Sequence, residues 1–425
     1  MEAINSVLSG FLLPLLLIIC GIWFGSKLKF FYIFHPIKLT GCLFETSDKG
    51  GISPFRSLTV ALAGTLGVGN MAGVATAIVA GGAGALFWMW ISAVCAMSVK
   101  YMEVKLAIQT REKTSEGWRG GAMYYIKTIF GGKIGNLMSV LFAVMCAVNS
   151  LVTGNIVQIN SACAAIDVNP VYTGLIIGII GMWIAAGGGK RISGTTVMII
   201  PLLSAIYIVI CLAIIFNNIE RIPAIFANII NEAFSLRSVS GGIGGFTMAR
   251  AMRFGVTRGI FSNEAGCGTS PTAHAQADCK SPHHQGCFGI FEVFADTILL
   301  CTMTGLVILL SKETALDGIP LTLYAFKTLA GAWAEKIIAI SIVLFAFATV
   351  IGQASYGLTA LDFLRGGFSV RVCYLMLIPI CSLIGALINA GFMWQIADLI
   401  VSFMTIVNVF SLSVYIKRQI TSLTF

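Results

Sequence analysis

Eleven runs of 16 to 26 mostly apolar residues follow one another along this chain, each long enough to cross the hydrocarbon of a bilayer as a helix. In lipid every backbone N–H and C=O must find its partner inside the protein, so such runs predict helices and exclude open sheets. They cover residues 8–23, 56–80, 86–106, 137–162, 171–186, 195–217, 239–257, 285–310, 337–361, 372–390 and 393–415. Composition agrees: 57% hydrophobic residues, 11% charged and a mean hydropathy of +0.91 lie outside the range of water-soluble domains. The reading is an all-α polytopic membrane protein whose residues 1–425 form one transmembrane domain.

A net charge of +9 would suit a nucleic-acid partner if the basic residues shared one face, but they fall between apolar runs. They report orientation instead. Of the 27 Lys and Arg, 22 lie in alternate loops on one side, leaving Arg221, Arg237, Lys312, Lys327 and Lys336 on the other. This bias predicts a multi-pass protein of the cell membrane with its N-terminus outside and its C-terminus in the cytoplasm. The first run has an acidic start, Met1-Glu2, and no cleavage site before Lys27, so it is expected to stay as a helix. Most of the twelve cysteines, such as Cys20, Cys95 and Cys301, sit inside apolar runs, where they act as small hydrophobes; free thiols are expected.

The second run is unusual inside. Between Ser57 and Ala77 it carries Gly64, Gly67, Gly69 and Asn70, which weaken a helix where lipid demands an unbroken one. A break at membrane depth is tolerated beside a cavity, where freed carbonyls and amides can hold a cation and the charged ends of a small solute. With the first helix (residues 8–26) set aside, ten spans divide into 56–217 and 239–415. Five crossings each make the second half an inverted copy of the first. A second glycine-rich break, Ser240-Gly-Gly-Ile-Gly244-Gly245, stands at the matching place. The alternative is that these glycines only let helices pack closely.

Three stretches are more specific: Ala61-Leu-Ala-Gly-Thr-Leu-Gly-Val-Gly-Asn-Met-Ala-Gly-Val-Ala-Thr-Ala-Ile78, Gly81-Gly-Ala-Gly-Ala-Leu-Phe-Trp-Met-Trp90 and Arg258-Gly-Ile-Phe-Ser-Asn-Glu-Ala-Gly-Cys-Gly-Thr-Ser-Pro-Thr-Ala-His274. Through them the chain resembles the alanine or glycine:cation symporter family from about Leu8 to Met404. The resemblance implies a leucine-transporter-type fold with one helix ahead of a ten-helix core, and uptake of a small neutral amino acid coupled to sodium by alternating access. It places the substrate at Gly67, Val68, Gly69 and Asn70, with Gln158 from the third core helix, Gly244 at the second break and Gln353 on the eighth core helix. It places the cation between the carbonyls of Ala63 and Leu66 and the eighth-helix residues Ala346 and Thr349, hard oxygens that suit a hard ion. Partners implied are the amino acid, sodium and the bilayer; no cofactor and no metal beyond sodium is implied.

The chain also departs from the family. Val68 stands where the family usually has Thr, Ala348 where it has a hydroxyl, and Gln353 where it has Trp. The last change predicts a larger, more polar pocket that accepts serine or glutamine. Intramembrane acids are functional candidates by default, and Asp296 and Asp398 fall where the family has acids, whereas Glu292 does not. They predict either pairing with arginines such as Arg253 or, in the alternative reading, proton coupling. The stretch Arg258–Pro271 reads as a charged, structured cytoplasmic loop rather than a spanning helix, in which Asn263 and Glu264 cap backbone or hold an inner gate by ion pairing, for example with Arg56 or Arg258. His274, Cys279, His283 and His284 between Cys267 and Cys287 match no closed zinc spacing. Ser262 and Ser270 have no nucleophile elbow around them, so an enzyme is not expected. A channel would need one continuous polar path; here polar residues cluster at the breaks.

Overall fold

Several helices start on the same chemistry, a capping side chain followed by proline. Ser53 Oγ accepts from Arg56 N ahead of Pro54, Asn169 Oδ1 from Val171 N ahead of Pro170, and Ser281 Oγ from His284 N ahead of Pro282. The cap satisfies an orphan amide, and proline at the first helical position has no amide to satisfy. These starts belong to a computed structural model that describes residues 5, 7–43, 51–114, 117–235, 248–313, 315–388 and 390–423.

In chain order the helices are α1 (Leu8–Lys27), α2 (Pro36–Leu43), α3 (Pro54–Thr65), α4 (Ala72–Gly81) and α5 (Gly84–Gln109). A hairpin of β1 (Glu112–Thr114) and β2 (Gly117–Arg119) follows, with Glu112 opposite Arg119. Then come α6 (Ala122–Phe130), α7 (Gly132–Ala165), α8 (Pro170–Ala186), α9 (Gly188–Asn217), α10 (Ile222–Ala233) and α11 (Met248–Asn263). The chain ends with α12 (Pro282–Ser311), α13 (Gly318–Ala330), α14 (Ala332–Phe363), α15 (Phe368–Leu387) and α16 (Ala390–Leu423). Among the described residues eight helices are long and apolar enough to span, and α3 with the segment Val68–Gly81 forms a ninth span bent by 62°.

One pattern recurs. The short helix α6 stops at Gly131 (φ +61°) and passes straight into the long span α7; α13 stops at Gly331 (φ +94°) and passes straight into α14. Glycine reaches this backbone region without the Cβ penalty, so both corners have the same cause. Within the bundle α5 and α14 are central, each 72% buried over its most apolar stretch, whereas α15 is 22% buried over its own and leaves Met376, Leu377 and Ile380 exposed.

Three expectations need correction. The helix read as 239–257 is described only from Met248 and runs on to Asn263; Gly244 and the rest of the second glycine-rich break lie outside the described residues. The stretch 258–271, expected as a structured loop, begins as helix up to Asn263, and Phe261 to His274 are all buried, because acceptors and donors from three helices meet their polar groups. Lys100, which the charge count put in a loop, is buried in α5.

Candidate substrate and cation site

The break starts where the α3 ladder ends. Leu66 N reaches Leu62 O at 2.6 Å, but Gly67 N turns to Thr65 O at 2.9 Å, so the carbonyl of Ala63 loses the partner a continuing helix would give it. Gly67 is needed for space: a Cβ there would lie 2.6 Å from Gln158 Oε1 and 2.7 Å from Thr349 Oγ1. Val68 N donates to Gln158 Oε1 at 3.1 Å, and Gln158 Nε2 donates to Thr153 O at 3.3 Å, inside a π-type stretch of α7 (Val152–Ile156). Thr349 Oγ1 bonds to Phe345 O at 3.0 Å and lies 3.5 Å from Leu66 O. Leu66, Gly67, Val68, Gln158 and Thr349 are thus brought together, with Ala63 and Ala346 buried alongside. Carbonyl and hydroxyl oxygens are a fitting donor set for sodium, and Ala348 contributes none.

Asn70 faces the other way. Its Nδ2 donates to Asp296 Oδ1 at 2.7 Å and to Asp296 O at 3.0 Å, while its Oδ1 is buried without a hydrogen bond. Asp296 sits in a second π-type stretch, Phe294–Cys301 of α12, and this irregular turn is where its backbone oxygen takes the Asn70 amide. Ser262 Oγ and Thr297 Oγ1 both donate to Asp296 Oδ2, at 2.9 and 2.7 Å. Asn263 Nδ2 extends the chain to Thr297 Oγ1 at 3.1 Å. Asp296 is therefore held by neutral donors and not by Arg253. Gly69 packs on Ser262, completing a three-way junction of the break, α11 and α12.

Gln353, one turn beyond Thr349, donates to Gly64 O at 3.1 Å and to Glu264 Oε1 at 2.7 Å, with its Cβ against Gly154. Glu264 accepts from Thr269 Oγ1 at 2.6 Å and makes no bond to Arg56 or Arg258. Arg258 instead faces Asp398 at 3.6 Å, away from the break. The turn after Glu264 is threaded onto Glu103, whose carboxylate accepts from Gly266 N at 3.2 Å and Gly268 N at 2.9 Å. Both glycines have positive φ, 86° and 76°.

A cavity of about 10 Å³ lies against the break, bounded by Leu66, Gly67, Asn70, Met71, Tyr207, Leu300 and Phe345. It has no charged wall. A cavity of about 670 Å³ opens elsewhere, lined by Arg56, Arg119, Lys190, Gln276 and Arg371 among others. A family model described as the sodium:alanine symporter family matches residues 1–424. The chain belongs to the sodium:alanine symporter family. Within it, the chain is 36% identical to "Sodium/alanine symporter AgcS" of Methanococcus maripaludis over 97% of this chain and 93% of that one. It is 34% identical to "Probable sodium/glutamine symporter GlnT" of Bacillus subtilis over 99% and 88%. A substrate-bound, outward-open Na+-coupled sialic acid symporter shares the fold at a TM-score of 0.59, with 12% identity over 98% of this chain and 87% of that one. The architecture is leucine-transporter-type and the activity is transport, not catalysis.

In this family member several site residues were not visible from sequence. Met71, Tyr207, Leu300 and Phe345 looked like ordinary apolar-span residues, and only the tyrosine hydroxyl in α9, which pairs with Thr304 Oγ1 at 2.7 Å, was a signal. Lys100 and Glu103, three apart on α5, also escaped. Lys100 Nζ reaches Ser270 Oγ at 2.6 Å and Glu292 Oε1 at 3.4 Å, and Glu292 Oε2 lies 2.9 Å from His274 Nε2. That buried cluster, more than any surface gate, explains why the motif 258–274 is so polar.

Proposed function

We propose that this protein imports a small neutral amino acid, alanine, glycine or a relative, together with sodium by alternating access. The observation that carries it is the apposition of Leu66 and Thr349 oxygens across a helix break that also borders a cavity without charged walls. The ion is proposed to bind the Ala63 and Leu66 carbonyls with Thr349, and the Ala346 carbonyl one turn earlier. The substrate carboxylate would meet the amides around Gly67, Val68 and Gly69 at the start of α4, where the helix dipole favours negative charge. Gln158 would hold that backbone in place, and Gly244, outside the described residues, is proposed to contribute to substrate binding. A cavity of about 10 Å³ admits no amino acid, so binding requires the two repeats to separate. Gln353 is proposed to set the position of α3 through Gly64, since its amide is bonded there and to Glu264. Names of relatives support both alanine and glutamine as candidates.

Orientation follows the charge asymmetry, with the basic 670 Å³ cavity as a cytoplasmic vestibule. A second coupling reading rests on Asp296, a buried carboxylate bonded to neutral donors beside the unpaired Asn70 Oδ1. It could take a proton or a cation. Uptake of labelled alanine and glutamine into proteoliposomes separates the readings: sodium-driven accumulation supports the first, and accumulation driven by a pH gradient alone supports the second. Unitary currents without accumulation would overturn both.

A further inference from the structure

At the first turns of α12, outside the transport site, His283 and Cys287 meet a residue 241 positions earlier, Cys42 of α2. One ligand atom from each lies within 4.8 Å of the others, and Cys287 Sγ is 3.9 Å from His283 Nε2. The spacing His283-x3-Cys287 puts both side chains on one helical face, and the short helix α2 supplies the third. The 267–287 spacing shows no metal pattern because this ligand comes from so far away.

We propose that Cys42, His283 and Cys287 bind a thiophilic divalent ion, zinc(II) being the best match. Two sulfurs and one imidazole are zinc's preferred ligands, and zinc at its usual bond lengths of about 2.3 Å to sulfur and about 2.0 Å to nitrogen separates ligand atoms by roughly 3.5 Å. The three atoms need to close by less than about 1.5 Å. The imidazole is already oriented, because Tyr101 Oη lies 2.6 Å from His283 Nδ1 and leaves Nε2 as the ring atom nearest Cys287. A hydrogen-bond partner on the far ring nitrogen sets the tautomer: Nδ1–H donates to the tyrosine oxygen and the Nε2 lone pair points at the metal. Phe31 packs against both rings, with centroids 5.5 Å from Tyr101 and 5.6 Å from His283. Two thiolates would neutralise the ion, each losing its proton to solvent on binding. The fourth position is open to water. The bound ion would tie α2, which precedes the broken span, to the helix that carries Asp296.

The test uses the full-length protein in detergent, titrated with zinc(II) against a chromophoric chelator, with cobalt(II) as a spectroscopic probe. Wild type should take up one zinc per chain and give a near-ultraviolet thiolate-to-cobalt band. Cys42→Ser and Cys287→Ser should each lose the band and bind at least 100-fold more weakly, and Tyr101→Phe about 10-fold more weakly. Cys279→Ser, outside the cluster, should bind as wild type. Should the buried Cys287→Ser fail to fold, Cys42→Ser on the half-exposed α2 and Tyr101→Phe still decide. No zinc uptake by wild type, or equal uptake by Cys42→Ser, would overturn the proposal.

Discussion

Gly67 and Gln353 show how single side chains set the break. A methyl group at Gly67 would collide with the Gln158 amide and the Thr349 hydroxyl, the latter on a short β-branched side chain that cannot swing away. Gly67→Ala should therefore destabilise the arrangement by about 1–3 kcal/mol and abolish transport while the protein still folds, read by uptake beside thermal unfolding. Gln353→Leu keeps bulk but strands Gly64 O and Glu264 Oε1, both buried. An unsatisfied buried group costs about 1–3 kcal/mol, so unfolding temperature and uptake should both fall. If the variant transports like wild type, Gln353 does not hold α3. Cys279 gives a pH test. Burial raises its thiol above the ordinary value, only partly opposed by nearby Arg111, so less thiolate is present at neutral pH. Below its pKa, maleimide labelling should accelerate about tenfold per pH unit, and from the cytoplasmic face only. Labelling from outside would reverse the proposed orientation.

At the scale of elements, the sequence was readable wherever hydrophobic length decided the outcome. Ten of the expected spans correspond to described helices because lipid leaves an apolar run of this length one solution. The break at residues 64–70 was readable too, since glycine and asparagine oppose the helix locally. In the stretch 258–271, read as a structured loop, the helical start up to Asn263 and the complete burial beyond it were not readable, because Glu103, Glu292 and Asn408 are buried partners that no local pattern reveals. The π-type stretches Val152–Ile156 and Phe294–Cys301 were equally hidden. They matter, because each carries a carbonyl that takes a side-chain amide at the break, Thr153 O from Gln158 and Asp296 O from Asn70. Asp296→Asn keeps the shape but turns an acceptor into a possible donor against Ser262 and Thr297. It should weaken the junction and lower uptake at least tenfold; pH-independent uptake at the wild-type rate would remove Asp296 from either coupling reading.

Over the whole molecule, two helical repeats pack around a break whose cavity is too small for a substrate, while a basic cavity stands open elsewhere. The proposed alternating-access cycle would account for both features, closure over the break and opening of the basic cavity being one motion in that proposal. Coupling then requires the ion to favour one state over the other, which the apposed α3 and α14 can supply because Leu66 and Thr349 belong to different elements. The decisive measurement is the initial rate of labelled alanine uptake into proteoliposomes against sodium concentration, for wild type and Thr349→Val, repeated across pH. The account predicts no concentrative uptake without sodium and a half-saturating sodium concentration raised about tenfold or more in the variant, the loss of one charge-facing oxygen. Identical sodium curves for the two proteins, or uptake that ignores sodium and follows pH, would contradict it.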